Sequence, residues 1–381
     1  MHHCEFYEKL DAGKGGGEGV TRCMACKHYC SIPDGETGIC GVRLNKGGKL
    51  HLMVYGYPAA VHVDPVEKKP LYHFLPGQKV FSIGTVGCNL SCKFCQNWDL
   101  SQSTKILKGK VKEPEARRKA LGKLCEGRLT YGMAGGDVRP DLEFDEGVAM
   151  GQEKMPPEKV VEICEEGEIP AIAYTYNEPT IFIEYARDIG VLAREKGIRN
   201  IFVTSGYESR EVLEACDGWL DAMNIDLKSF SADFYRDVCG IQLEGVLETI
   251  RRAFDMGIWI EITTLVVPGL NDSSEELNDI ARFIAGLSVD IPWHVTAFHP
   301  CYKMMDRPST SKEDLERAWK IGKDAGLRYV YTGNVMGGHE DTECPKCGEV
   351  VIERFRMDCR VCRVAEGKCP MCGEEVGGVF S

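Results

Sequence analysis

Three cysteines within eight residues, Cys88, Cys92 and Cys95, limit what this chain can fold into more than any other feature. They follow an apolar run at residues 79–84 that predicts a buried strand. Three thiolates are one too few to close a tetrahedral zinc site and one too few to saturate a four-iron cluster. A [4Fe–4S] cluster held here would keep one iron open; the alternative is half of a zinc site completed by residues elsewhere. Phe94, just before the last cysteine, would give such a cluster an apolar neighbour.

The composition is that of a globular protein long enough for two or three domains. The chain has 381 residues, of which 43% are hydrophobic and 27% charged, as is ordinary for such proteins. A formal net charge of −12 disfavours nucleic acid as a partner, because affinity for phosphate is built from clustered lysine and arginine. No run approaches the roughly 20 apolar residues of a membrane span, and the first residues lack the basic and apolar regions of a signal peptide. We therefore expect a cytoplasmic protein without a membrane partner.

Many of the 19 cysteines are clustered, which favours metal sites in a reducing cytoplasm over a secreted disulfide scaffold. One group near the N-terminus has a C-x2-C-x3-C-x9-C spacing and consists of Cys23, Cys26, Cys30 and Cys40. Its ligands are all sulfur, so it predicts either a zinc ion or an iron–sulfur cluster. The solitary cysteines are interpreted as small buried hydrophobes; they are Cys4, Cys125, Cys164, Cys216, Cys239 and Cys301.

The C-terminal tail predicts a zinc ribbon. Two matching Cys-Pro-x-Cys-Gly segments supply four thiolates, Cys344, Cys347, Cys369 and Cys372. Four thiolates close a structural zinc tetrahedron, and the glycine after each segment lets the backbone turn tightly around the metal. A further pair, Cys359 and Cys362, lacks that glycine. For this pair the sequence leaves open a second ion or a labile disulfide.

The region between the two cysteine groups predicts a parallel α/β sheet. Six β-rich runs lie at residues 79–85, 171–176, 200–205, 222–227, 259–267 and 293–298. Helical patterns separate most of them, at residues 157–166, 180–196, 209–216, 243–256 and 274–285. This alternation indicates βαβ units, and six such units would form an open, partial (β/α)6 barrel.

The domain limits follow from these three regions. We expect an N-terminal cysteine-rich metal-binding region at residues 1–75, the partial barrel at 76–335 and the ribbon at 336–381. One segment of the barrel, about residues 103–153, is rich in charge and glycine. It is too long for an ordinary βα connection of about 2–6 residues. A mobile surface insertion is favoured there over a lid or a partner-docking element.

Polar or small residues stand at the end of each predicted strand, where parallel barrels carry their chemistry. These include Cys88, Glu178, Thr204, Asp226, Lys228, Gly269 and His299. Their recurrence at one edge of the sheet predicts a single active site there.

With these residues in place, the chain resembles the radical S-adenosylmethionine (SAM) enzyme of the AmmeMemoRadiSam system, a group similar to pyruvate formate-lyase-activating enzymes. The resemblance covers nearly the whole chain, and its motifs are specific in combination. They lie at residues 23–26, 38–43, 63–71, 87–90, 95–98, 173–180, 266–272, 298–300 and 306–308, with the Cys-Pro-x-Cys-Gly pair at the end. The insertion after Ser103 and the added Cys359 and Cys362 depart from the pattern, which puts local geometry in doubt and not the cluster chemistry.

The resemblance implies that Cys88, Cys92 and Cys95 ligate a [4Fe–4S] cluster whose open iron binds SAM. It also implies that Glu178 holds the SAM amino group. An ammonium needs acceptors, and a carboxylate at a strand end supplies them. The alternative for Glu178 is a cap for the helix that follows.

The same resemblance places further residues against SAM. Asp226 and Lys228 alternate with an apolar residue and so share one strand face. Their implied contact is the methionyl end of SAM, with the lysine as a point charge for its carboxylate; the alternative is a buried structural ion pair. His299 would contact the SAM nucleoside. Thr204 would also reach SAM or, alternatively, belong to a turn.

The implied activity is that of a radical SAM enzyme. A reduced cluster would cleave SAM, and the 5′-deoxyadenosyl radical would abstract hydrogen from a substrate. Ferredoxin or flavodoxin is the implied kind of electron donor. The substrate is a protein glycine, as in activating enzymes, or a small molecule, and cleavage of a different carbon–sulfur bond stays open.

Two other functions are weighed against this one. An RNA-modifying radical SAM enzyme is compatible with the ribbon, but the net charge of −12 argues against it. A non-catalytic metal-rich scaffold would have no need of Glu178, Asp226 and Lys228 at successive strand ends.

Overall fold

The computed structural model describes residues 1–10, 19–126 and 154–380. Its first six strands are β1 (His2–His3), β2 (Tyr7–Lys9), β3 (Thr21–Cys23), β4 (Ser31–Ile32), β5 (Arg43–Lys46) and β6 (Lys49–Leu52). They pair into two antiparallel sheets of three strands, in the orders β1-β6-β5 and β2-β3-β4. Strands this short bury little surface between themselves, so this module depends on packing against the rest of the chain.

The central sheet has eight strands that follow one another in chain order. They are β7 (Ala60–Pro65), β8 (Lys79–Gly84), β9 (Ala171–Tyr174), β10 (Arg199–Thr204), β11 (Ala222–Asp226), β12 (Trp259–Val266), β13 (Trp293–Ala297) and β14 (Val330–Gly333). All neighbours from β8 to β14 are parallel, and β7 pairs antiparallel with β8. Parallel strands are covered on both faces and therefore consist of continuous apolar runs; every residue of β9 is buried.

Helices cover this sheet between its strands. They are α1 (Trp98–Ser101), α2 (Ser103–Lys110), α3 (Pro114–Cys125), α4 (Pro157–Glu166), α5 (Ile183–Glu195), α6 (Arg210–Ala215), α7 (Ala232–Phe234), α8 (Leu243–Asp255), α9 (Ser274–Leu287) and α10 (Lys312–Asp324). Two short 3-10 helices lie at Val66–Lys68 and Pro179–Phe182, and a π-helical turn lies at Tyr235–Cys239. Serine side chains cap several N-termini, as in α9, where Ser273 accepts the Glu276 N–H.

The structure confirms an α/β fold with a mostly parallel sheet. Each of the six predicted strands is present, with bounds within two residues of those predicted. Two strands of the central sheet were not predicted, β7 at its antiparallel edge and β14 at its other edge. β14 has only four residues and ends in a glycine, which weakens its strand pattern. The sheet therefore contains seven parallel strands where six units were expected.

The start of the predicted insertion is helical and packed. Residues 103–125 form α2 and α3 in place of the surface segment that was expected. Leu107, Leu121 and Leu124 are buried, so one face of these helices packs against the core while the other faces outward. Residues 127–153, the remainder of the predicted insertion, lie outside the described residues.

The N-terminal module is fixed to the sheet layer by buried polar contacts. The guanidinium of Arg43, in β5, donates to the Glu184 carboxylate in α5 at 2.8 Å, and both side chains are buried. Thr180 Oγ1 donates to the Ala25 carbonyl at 2.5 Å. The sheet itself begins at β7, upstream of the domain boundary predicted at residue 75. Val66 and the residues after it pack against the sheet and so belong to the same domain.

The C-terminal part is a small antiparallel sheet of β15 (Thr342–Glu343), β16 (Val350–Phe355) and β17 (Asp358–Cys362). Arg354 ties it to the central sheet, since its Nη2 donates to the Tyr72 carbonyl at 2.5 Å. Further along, the Leu75 N–H donates to the Val379 carbonyl at 2.7 Å. Among the helices of the described residues, none has the length and apolar character needed to cross a membrane.

Candidate active site

One cavity of about 850 Å³ lies at the C-terminal ends of the parallel strands. Seven of the eight residues predicted to hold the cluster or SAM line it: Cys88, Cys92, Cys95, Glu178, Thr204, Asp226 and Lys228. The volume falls within the roughly 300–1,000 Å³ of ligand pockets. The chain therefore brings side chains from four successive strand ends to one place.

His299 lies apart from those seven residues. Its Nδ1 is 3.1 Å from Ser309 Oγ, and its Nε2 is 3.3 Å from the Asn334 carbonyl oxygen. The cavity lining includes Asn334 but not His299. The position after β13 was predicted correctly as a strand end, but the side chain turns to the neighbouring loop.

The cysteine loop is anchored by the turn Tyr235–Cys239. The Ser91 N–H donates to the Cys239 carbonyl at 2.7 Å, and the Lys93 N–H donates to the Val238 carbonyl at 3.0 Å. These backbone hydrogen bonds fix the segment between the first and last thiols. They also bring Cys239 to the loop although it is distant in sequence.

The three thiols sit in an environment suited to metal-bound thiolates. The Leu90 N–H donates to Cys88 Sγ at 3.3 Å, and Ser101 Oγ lies 3.0 Å from Cys95 Sγ. Burial raises the pKa of the Cys88 thiol, so the thiolate form here depends on a bound cation. No three ligand atoms at this loop lie within 4.8 Å of one another. The three thiols are therefore not grouped as closely as those of the C-terminal cysteines.

Cys239 is a neighbour of the site that the sequence did not reveal. A hydrogen bond with the Cys239 thiol, together with burial, raises the pKa of Cys92. Cys239 thus contacts one of the three cysteines predicted to hold the cluster. No spacing rule connects the two residues, because their contact arises only from the packing of the Tyr235–Cys239 turn.

Asp226 and Lys228 form the charged pair at the end of β11. Lys228 Nζ donates to Asp226 Oδ2 at 2.6 Å and lies 5.8 Å from the centre of the Phe94 ring. Burial lowers the pKa of Lys228, but the Asp226 carboxylate, with a smaller effect of the neighbouring cysteines, outweighs it and leaves that pKa raised. Lys228 therefore carries its charge beside the cysteine loop.

Glu178 belongs to a buried pair of carboxyl groups. Thr204 Oγ1 donates to Glu178 Oε1 at 2.5 Å, and the Ser205 N–H donates to Glu178 Oε2 at 2.9 Å. The same hydroxyl contacts Glu208, which is also buried. Burial and the charge of Glu208 raise the pKa of Glu178. Glu208 was not predicted, since it lies in the connection after β10 and meets Glu178 only through Thr204.

A buried histidine and a buried glutamate form a second polar pair, in the sheet beside the cavity. His294 lines the cavity, and its Nε2 lies 2.7 Å from Glu261 Oε2. Glu261 also accepts the N–H groups of Tyr72 and His73 at 2.9 and 2.8 Å. The signal for this pair was present in the sequence, because a glutamate and a histidine lie within two predicted buried strands.

The C-terminal cysteines form a tight group. The Sγ atoms of Cys344 and Cys372 are 3.6 Å apart, and those of Cys347 and Cys369 are 3.7 Å apart. Among the described residues, these four alone place all their ligand atoms within 4.8 Å of one another. They can therefore hold a single metal ion. Cys359 and Cys362 lie on β17, outside this group.

Comparison with known proteins points to one superfamily. A sequence model of the radical SAM superfamily matches residues 82–284. An uncharacterized protein of Methanocaldococcus jannaschii is 38% identical over 380 residues, which is 99% of each chain. The pyruvate formate-lyase-activating enzyme of Clostridium pasteurianum is 25% identical over 167 residues, covering 40% of this chain and 68% of that enzyme. The crystal structure of a domain of the pyruvate-formate lyase-activating enzyme from Bacteroides vulgatus matches with 22% identity and a TM-score of 0.38, covering 42% of this chain and 98% of that one.

Proposed function

The chain belongs to the radical SAM superfamily, and on that premise we propose that it cleaves SAM reductively and uses the 5′-deoxyadenosyl radical to abstract hydrogen from a substrate. One observation carries the proposal. The three loop cysteines and the polar or charged residues of three further strand ends line the same cavity. Such convergence suits a ligand that must reach a metal centre and several polar groups together.

Cys88, Cys92 and Cys95 would hold the [4Fe–4S] cluster. Their support is the wide spacing of the thiols and the Leu90 N–H at 3.3 Å from Cys88 Sγ. The chemistry that such a cluster supplies when bound is one electron for reductive cleavage of the SAM sulfonium, which gives methionine and the radical. Phe94 lines the same cavity and is buried, so it shields the centre from water.

Glu178 and Lys228 would orient the methionyl end of SAM. That end carries an ammonium and a carboxylate, and the site offers a fixed carboxyl and a fixed ammonium. Lys228 keeps its charge because Asp226 holds its Nζ at 2.6 Å, and Glu178 is positioned by Thr204 and the Ser205 N–H. Groups held in place before binding lose little entropy when the ligand arrives.

A protein is the substrate class that the relatives favour, because activating enzymes are among them. Hydrogen would then be abstracted from a loop of that protein, with a small molecule as the alternative substrate. A one-electron carrier such as ferredoxin or flavodoxin would reduce the cluster. The net charge of −12 continues to disfavour RNA.

A zinc ion would occupy the C-terminal cysteine group. A tetrahedron with Zn–S bonds of about 2.3 Å has edges of about 3.8 Å. The observed separations of 3.6 and 3.7 Å come close to that edge. The ion would hold the ends of the ribbon together around β15, β16 and β17.

Electron paramagnetic resonance (EPR) of the dithionite-reduced, anaerobically purified protein tests the cluster assignment. We expect a signal that changes on adding SAM. Cys92→Ala should remove this SAM-sensitive signal, whereas Cys164→Ala, a change at a buried cysteine in α4, should keep it. A SAM-sensitive EPR signal that persists in Cys92→Ala would contradict the assignment.

A further inference from the structure

The N-terminal cysteine group, defined as Cys23, Cys26, Cys30 and Cys40, is used by no step of SAM cleavage. The fold nevertheless brings these four cysteines close to one another. Cys23 ends β3, and its N–H donates to the Cys30 carbonyl at 2.9 Å. Three of the four side chains are buried and Cys30 is half-buried. Each thiol interacts electrostatically with the other three.

The spacing of these thiols is wrong for a single zinc ion. Four sulfurs on one zinc are all about 3.8 Å apart, since each bond is about 2.3 Å. The C-terminal group meets that condition, but no three ligand atoms of the N-terminal cysteine group lie within 4.8 Å of one another. A cluster with several irons separates its thiolates more widely, because different irons bind them. The loop at Cys88, Cys92 and Cys95 has the same open spacing.

Two cationic side chains, one buried and one half-buried, lie near the group. Arg43 is fully buried, its Nε has no hydrogen-bond partner, and its guanidinium interacts electrostatically with Cys4 and Cys23. Lys108 interacts with Cys40 and donates to the Gly38 carbonyl at 2.9 Å. The Glu184 carboxylate already balances the charge of Arg43. The two cations favour metal-bound thiolates beside them, and the spacing of the thiols favours the kind of centre.

We propose that the N-terminal cysteine group binds a second, polynuclear iron–sulfur cluster. It would lie beside the active loop, because the Cys40 carbonyl oxygen is only 2.6 Å from where a side chain at Gly87 would begin. Thr104 Oγ1 donates to that same carbonyl at 2.9 Å and fixes the contact. Gly87 directly precedes Cys88, so the two cysteine sets meet through adjoining backbone.

The triple variant Cys88→Ala, Cys92→Ala and Cys95→Ala separates the two sites. The full chain is purified anaerobically, and its iron, zinc and EPR signal are measured with and without SAM. We expect the variant to keep iron and to contain one zinc ion per chain. In the reduced state, its EPR signal should not change when SAM is added. An iron-free variant, or two zinc ions per chain, would overturn the proposal.

A pair of single variants identifies the ligands in a chain whose active loop is intact. Cys30→Ala should lose the EPR signal that does not respond to SAM and keep the SAM-sensitive one. Cys4→Ala is the matched control, because Cys4 is buried beside Cys23 but lies outside the group. Full iron in Cys30→Ala, or loss of the second signal in Cys4→Ala, would contradict the assignment. A missing SAM-sensitive signal in the unaltered protein would instead refute the proposed function.

Discussion

At the scale of single residues, the ionisable groups of the cavity are held in place by the protein itself. Lys228 is fixed by Asp226 at 2.6 Å, and Glu178 by Thr204 and the Ser205 N–H. Both side chains are buried. Removing either one should therefore affect the ligand that pairs with it more than the fold around it.

Lys228→Ala and Glu178→Ala should each weaken SAM binding while the cluster still assembles. Loss of one charged hydrogen bond costs about 1.5–3 kcal/mol, or on the order of ten- to a hundred-fold in affinity. Equilibrium dialysis with SAM measures this. Lys196→Ala, at an exposed lysine paired with Glu165 on the surface, is the control and should bind normally. Normal SAM affinity in both cavity variants would show that the two residues are structural.

The carboxyl pair Glu178 and Glu208 should make stability fall as pH rises. Burial raises the pKa of both groups above the ordinary value of 4.5. The folded state thus binds more protons than the unfolded state, and the free energy of unfolding decreases above that pH. Glu208→Gln removes one ionisable member of the pair. In chemical unfolding of SAM-free protein between pH 5 and 8, its stability should fall less steeply than that of the unaltered chain; an equal slope would contradict this account.

Single residues were predictable where spacing in the sequence carries the chemistry. Cys88, Cys92 and Cys95 lie close together in any fold, so their shared place in the cavity lining could be predicted without a structure. Glu208 and Cys239 could not be found in that way. Their positions depend on the path of the connections after β10 and β11, which no local pattern encodes.

At the scale of elements, the parallel strands were predictable because buried runs of apolar residues alternate with helical patterns. The polar residue after each strand then had to lie at the same edge of the sheet. The edge strand β7 was missed, since its residues are mostly half-buried or exposed. The helices α2 and α3 were missed because their charged sequence hides the few leucines that pack inward.

Gly87 should be required for the loop that carries the cysteines. Its φ of +90° favours glycine, and an added Cβ would lie 2.6 Å from the Cys40 carbonyl oxygen. The left-handed backbone alone costs a side chain roughly 1–2 kcal/mol. Gly87→Ala should therefore lower the free energy of unfolding and the iron content. Gly109→Ala, in α2 with open space around its Cα, should be neutral or slightly stabilising; equal stability of the two variants would refute this role.

At the scale of the whole molecule, three parts of the chain meet around the cavity. The N-terminal module contacts the cysteine loop through Cys40, and the central sheet supplies the strand ends. The turn between β16 and β17 adds Arg356 and Met357 to the lining. Arg354 anchors this turn, since its guanidinium lies 4.3 Å from the centre of the Tyr72 ring and donates to Thr342 at 2.8 Å. This meeting of distant segments was beyond prediction from local patterns.

The ribbon should depend on its metal. Cys347→Ala removes one of the four closely spaced thiols and should lower the zinc content by one per chain, with a lower melting temperature, since metal binding contributes to folding. The iron content should not change. Cys362→Ala, at an exposed cysteine on β17 outside the group, is the control and should keep its zinc. Zinc retained by Cys347→Ala and lost by Cys362→Ala would show that the ligands are misassigned.

Product identification after incubation of the reduced, anaerobic protein with SAM tests the central claim most directly. A site in which three thiolates and the strand-end charges act on SAM together should release 5′-deoxyadenosine and methionine in equal amounts. The Cys92→Ala variant should release neither. Methylthioadenosine as the main product, or 5′-deoxyadenosine formed equally well by Cys92→Ala, would contradict the account.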